Sequence, residues 1–154
     1  MTPQEASEGH WSGSGYWIGH AVGGPNISWT IYLAAPFEEL RRLRAIKAQI
    51  EAATPHRVGS AWLAEDPDTP VTPDPIMWPT MARRDLLDID RAHLLILDTM
   101  ATNTRGGSQA EFLYAYGAGK AVWLVGPVRN VFNTLAHRSF ETWPAALVEL
   151  AGLR

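Results

Sequence analysis

The sequence predicts an α/β domain built on a single doubly wound parallel sheet with helices on both faces. Three observations carry this reading. Short apolar runs alternate with helix-patterned segments along the chain. The runs are apolar at successive positions, as strands covered on both faces must be. Read in order, the elements give β-α-β-α-β-α-β-α, and such alternation produces parallel strands joined by helical crossovers.

The first strand is Ile27 to Ala35, β-branched, aromatic and uncharged, and Pro36 ends it. A helix follows over Glu38 to Ala52, with Leu40, Leu43, Ile46 or Lys47, and Ile50 at helical spacing. Glu38 and Glu39 sit in its first turn, and Arg41, Arg42 and Arg44 read as its solvated face. His56 to Leu63 is a short second strand. Residues 65–79 hold Pro67, Pro70, Pro73, Pro75 and Pro79, which excludes a helix or interior strand and suggests a lid or binding wall.

Thr80 to Ala92 reads as a helix capped by Thr80. His93 to Thr99 is the clearest strand, followed by the polar loop Asn103 to Gly107. A helix from Ser108 to about Gly117 comes next, with Gly119 as its C-terminal cap. Ala121 to Val125 is another buried strand, and Phe140 to Leu150 the last helix, with Pro144 in its first turn. The whole is flavodoxin-like or Rossmann-like. Residues 28–154 form this domain, and residues 1–27, rich in glycine, serine and aromatics, read as an N-terminal arm or hairpin.

The composition bounds the function. The 154 residues are 46% hydrophobic and 19% charged, enough to bury one core. A net charge of −3 argues against a binder of nucleic-acid polymers. The chain has no cysteine, which excludes thiolate zinc sites and cysteine nucleophiles and fits a reducing cytoplasm. No apolar run approaches the roughly 20 residues of a membrane span. The histidines lack ligand spacing, so neither a metal nor a cofactor is expected.

Ligands of doubly wound sheets bind beyond the carboxyl ends of the strands. Glu111 lies just after such an end. Its spacing from Ser108 is that of a capping box, and a capping role competes there with a chemical one. A carboxylate at this place also suits attack on a sugar carbon. Asp85, on a helix that also carries Asp88 and Asp90, could manage protons on a leaving group. Tyr32 lies on the first strand, and the small residues after it would let a flat ligand approach the backbone. Arg105 and Ser108 flank a glycine pair at a helix start, an arrangement suited to an anion such as phosphate.

Three segments together resemble the nucleoside 2-deoxyribosyltransferase family: Ile31 to Phe37, Asp85 to Leu97, and Gly107 to Lys120. The resemblance spans about Ile31 to Val125 and is most specific in the last segment. It implies that Glu111 is the nucleophile that forms a covalent glycosyl-enzyme, that Asp85 assists at the base, and that Tyr32 positions the nucleophile. It places Trp78 near a family tryptophan close to the substrate and implies a homo-oligomer in which Asn133 or Asn130 completes a neighbour's site; Ala35, Phe37, Arg105, Gly107 and Ser108 are further candidate substrate contacts. The family's transferases carry an aspartate where this chain reads Thr104-Arg105-Gly106. Related hydrolases of nucleoside 5′-monophosphates bind phosphate at that loop. The expected activity is therefore cleavage of the N-glycosidic bond of a nucleoside, with a 5′-monophosphate N-glycosidase or a non-catalytic nucleotide-binding module as alternatives. A role as an interaction partner in a larger complex is a third reading.

Overall fold

A computed structural model describes residues 9–11, 17–19, 28–68, 74–102 and 106–153. Near the amino terminus, β1 (Gly9–Trp11) and β2 (Trp17–Gly19) form an antiparallel pair. The main sheet contains β3 (Thr30–Ala34), β4 (Arg57–Val58), β5 (Leu94–Asp98), β6 (Ala121–Val125) and β7 (Arg138–Phe140). Its order is β4-β3-β5-β6-β7, and every neighbouring pair is parallel. The order reverses between β3 and β5, which opens a crevice at their carboxyl ends.

Every residue of β5 and β6 is buried, so helices must cover both faces. The helices are α1 (Leu40–Ala53), α2 (Trp78–Arg91), α3 (Gly107–Gly117) and α4 (Trp143–Gly152). α1 packs with α4, and α2 with α3. α1 buries Leu40, Leu43, Ile46 and Ile50, the stripe its periodicity predicts. Among the described residues no helix is long and apolar enough to cross a membrane.

Several expectations are corrected. The second strand is only two residues long, not His56 to Leu63. Side chains take over its ladder: the Leu33 amide donates to Ser60 Oγ (2.7 Å), and Trp62 Nε1 donates to the Leu33 carbonyl (2.9 Å). The chain can then turn away at Ala61–Ala64 without leaving β3's backbone groups unpaired. α2 begins at Trp78 with Pro79 in its first turn, where proline's missing amide costs nothing, so Thr80 is not its cap. Phe140 belongs to a fifth parallel strand, and the last helix starts at Trp143.

The arginines of α1 are not all solvated. Arg44 donates to the Leu63 and Glu65 carbonyls (2.8 and 2.6 Å). Arg42 makes a two-pronged pair with Asp98 at the end of β5, both bonds 2.8 Å.

At the amino end of the sheet, three histidines each accept a backbone N–H through Nδ1. His56 accepts from Trp29 (3.0 Å), His93 from Thr30 (2.9 Å) and His137 from Val122 (3.0 Å). His56 Nε2 also meets the Leu150 carbonyl at 3.0 Å, which fixes the neutral ring with its proton on Nε2. Burial lowers the His56 and His137 pKa values below the ordinary 6.5. The unfolded chain thus takes up these protons first, and the stability they provide is intact above 6.5 and lost as pH falls below it. In His56→Asn the amide oxygen replaces Nδ1 as acceptor but cannot titrate. Between about pH 7 and pH 5, urea unfolding of wild type should lose on the order of 1 kcal/mol more than that of His56→Asn.

Candidate active site

The crevice at the switch point is a cleft of about 220 Å³. One wall is the turn after β3, with Ala35, Pro36, Phe37 and Glu38. Trp62 and Glu65 close a second side from the segment after β4. α2 contributes Met81, Arg84 and Asp85, and the start of α3 contributes Gly107, Ser108 and Glu111.

Glu111 does not cap α3. The N-cap is Gly106, whose φ of 88° is a left-handed conformation that glycine adopts without strain, and no side chain bonds the helix start. Ser108 lies inside the first turn rather than at the cap, so the Ser108–Glu111 spacing does not form a capping box. The Glu111 carboxyl instead reaches the cleft. Burial, then the nearby Asp85 carboxylate, push its pKa up to about 8, while the Tyr32 hydroxyl and Arg84 act against this.

Tyr32 is fully buried on β3. Its hydroxyl and the Glu111 carboxylate are close enough to influence each other's ionisation, yet the hydroxyl has no partner in normal hydrogen-bond geometry among the described residues. Burial and the Glu111 and Asp85 carboxylates raise its pKa beyond the usual phenol range, so it stays a neutral donor.

Asp85 carries the other carboxyl. Burial raises its pKa, and Arg84 opposes the rise. Arg84 Nε and Nη2 donate to Asp85 Oδ1 at 3.1 and 2.9 Å, and Nη2 pairs with Glu65 Oε1 at 2.6 Å.

Of the residues named from sequence, the structure thus brings Glu111, Asp85, Tyr32, Ala35, Phe37, Gly107 and Ser108 together. Trp78 is half-exposed at the start of α2 and does not line the cleft. Asn133 is fully buried, accepts from the Arg129 amide (2.9 Å) and donates to Gln109 Oε1 (2.7 Å). Asn130 caps the turn Val131–Leu135 by accepting from the Phe132 amide at 2.9 Å. Both asparagines are engaged within their own chain. Arg105 lies outside the described residues. Arg84 and Glu65 escaped the sequence reading. Arg84 precedes Asp85 with no motif spacing, and Glu65 was visible only as the first residue of the proline-rich segment.

No protein-family model matches the chain, and no curated protein matches it by sequence. Among solved structures, the chain is similar to a 2-deoxyribosyltransferase from the psychrotolerant bacterium Bacillus psychrosaccharolyticus. The two are 22% identical, with 77% of this chain and 90% of that one covered at a TM-score of 0.59. A conserved protein from Enterococcus faecalis V583 is 17% identical over 80% of this chain and 98% of its own, at a TM-score of 0.63. The Clostridium botulinum CMP N-glycosidase BcmB is 14% identical over 79% of this chain and 97% of that one, with a TM-score of only 0.45. The likeness to the first two is one of fold: a parallel α/β sheet whose crevice, in this chain, is lined by carboxylates.

Proposed function

We propose that the protein cleaves the N-glycosidic bond of a nucleoside in two steps, with Glu111 as the nucleophile. The observation that carries this reading is the buried Glu111 carboxyl, which does not cap its helix and interacts with both the Tyr32 hydroxyl and Asp85. The fold likeness to a 2-deoxyribosyltransferase and the matching sequence segments support it.

In the first step the proton that burial and the Asp85 carboxylate hold on Glu111 passes to Asp85, and the Glu111 carboxylate oxygen so formed bonds to the anomeric carbon as the carbon–nitrogen bond breaks. The bond's electron pair leaves with the base, which takes a proton from Asp85. In the second step a new base nitrogen, or water, attacks the same carbon. The ester bond to Glu111 breaks, and the proton of the attacking group returns to Asp85. The carboxylates around the cleft favour the positive charge that develops on the sugar. The Tyr32 hydroxyl orients the Glu111 oxygen.

The test is to incubate the protein with deoxynucleosides and their 5′-monophosphates, with and without a free acceptor base, and to separate the products. A new nucleoside formed only with acceptor identifies a transferase. Release of free base regardless identifies a hydrolase. Absence of product from every substrate overturns the reading in favour of a binding module.

The cleft also favours an uncharged substrate. Among its described lining residues, Glu38, Glu65, Asp85 and Glu111 face a single guanidinium, Arg84, already paired with two of them. Phosphate would meet like charge there. A deoxynucleoside should therefore be used at least about tenfold more efficiently, by kcat/KM, than its 5′-monophosphate. The reverse preference would point to Arg105 as a phosphate ligand.

A further inference from the structure

We propose that Arg84 is a positioning residue that acts through Asp85: anchored by Glu65, its guanidinium holds the Asp85 carboxyl in one orientation in the cleft, from which it hands its proton to the departing base. The inference rests on the reading of Glu111 and Asp85 as the reacting carboxyls, and adds a residue pair that the resemblance does not supply.

The geometry is that of a clamp. Two nitrogens of the guanidinium converge on one oxygen, Asp85 Oδ1, at 3.1 and 2.9 Å, which leaves Oδ2 for a ligand. The same Nη2 lies 2.6 Å from Glu65 Oε1, on the segment after β4, so α2 and that segment are tied together beside the cleft. All three side chains are sheltered, with 32% of Arg84, 22% of Glu65 and 20% of Asp85 exposed, so solvent weakens the pairing less than at a surface. A planar, fixed fork suits this double duty, whereas a lysine would offer a single mobile charge.

The electrostatic surroundings explain why a clamp is needed. Asp85 faces Glu65 from the segment after β4 and Asp88 from its own helix, and both disfavour its anion. Glu111 on α3 and Glu38 after β3 line the same cleft, and the Tyr32 hydroxyl on β3 interacts with Glu111 and Asp85. Arg84 is the single cation among the described lining residues, and it favours the anionic form of both Asp85 and Glu111. Without it, burial and like charge would hold the proton on Asp85 and leave it a weak acid toward the departing base.

Arg84→Gln and Arg84→Lys test this, with Glu65→Gln as a check on the anchor and thermal unfolding as a check on the fold. In Arg84→Gln, kcat should fall about 100-fold or more, and both limbs of the pH–rate profile should move to higher pH by about one unit. Arg84→Lys should restore the wild-type profile while recovering only part of kcat. Glu65→Gln should lower kcat with a smaller movement of the profile. Independently of turnover, carbon-13 carboxyl titration should place the Asp85 midpoint at higher pH in Arg84→Gln than in wild type. An unchanged Asp85 midpoint in a folded Arg84→Gln protein overturns the proposal even if kcat falls. If wild type cleaves no nucleoside, the reaction assigned above fails, and the carboxyl titration still decides the role of Arg84.

Discussion

Glu111→Gln should abolish turnover, with a loss of about 1,000-fold or more in kcat, and yet unfold at a higher temperature than wild type at pH 8. The amide keeps the shape of the side chain but can neither attack a sugar carbon nor ionise. The stability gain follows from the raised pKa. Glu111 ionises near 4.5 in the unfolded chain but only at about 8 in the folded one, so folding becomes less favourable as pH rises between these values. Glutamine removes that penalty. The advantage should be absent near pH 4.5, grow with pH, and reach about 1–3 kcal/mol at pH 8. Kinetics and thermal melts across this range are the measurement. A variant less stable than wild type by about 1 kcal/mol at every pH, with no activity in either form, would return Glu111 to a capping role.

Arg42→Ala should be the most destabilising change outside the apolar core, costing about 3–5 kcal/mol in urea unfolding at neutral pH. Asp98 is buried at the end of β5 and is held from three directions. Arg42 bonds both its oxygens, Trp143 Nε1 donates at 2.7 Å from α4, and the Met100 amide donates at 3.0 Å. The Asp98 side chain has 0% exposure while Arg42 has 37%, and this asymmetry sets the sign of a comparison. With Arg42 removed, the stranded carboxylate cannot reach water. With Asp98 removed, the guanidinium can turn outward and be solvated. Asp98→Ala should therefore cost about 1–2 kcal/mol less than Arg42→Ala, despite the additional loss of the Trp143 bond. Equal costs would mean that the pair is not the joint between α1, β5 and α4.

The central strands were legible because nothing else explains runs such as Leu94 to Leu97, apolar on both faces and free of breakers. β7 was not, because Arg138-Ser139-Phe140 is a short edge strand whose residues are exposed or half-buried, and an edge strand needs no continuous apolar run. Pro79 misled for a physical reason: proline halts a helix from within but is favoured at its first turn. The capping spacing at Ser108 misled because a left-handed Gly106 already occupies the cap, a backbone property that residue spacing does not encode. At the site, the resemblance picked out Glu111, Asp85 and Tyr32, which the fold brings together from α3, α2 and β3. The Arg84–Glu65 clamp joins residues 19 positions apart through a proline-rich segment, and no local pattern announces such a contact.

The three histidines that receive backbone N–H groups stand at the amino end of the sheet, and the cleft stands at the carboxyl end. This polarity divides the molecule into a half that can be edited and a half that should be left alone. Randomised libraries confined to the segments after β3 and β4 would sample new substrates while leaving the anchoring histidines untouched, and substitutions at the two ends should combine additively. An engineer seeking an altered ligand preference would accordingly accept surplus stability from one end as the starting capital for change at the other.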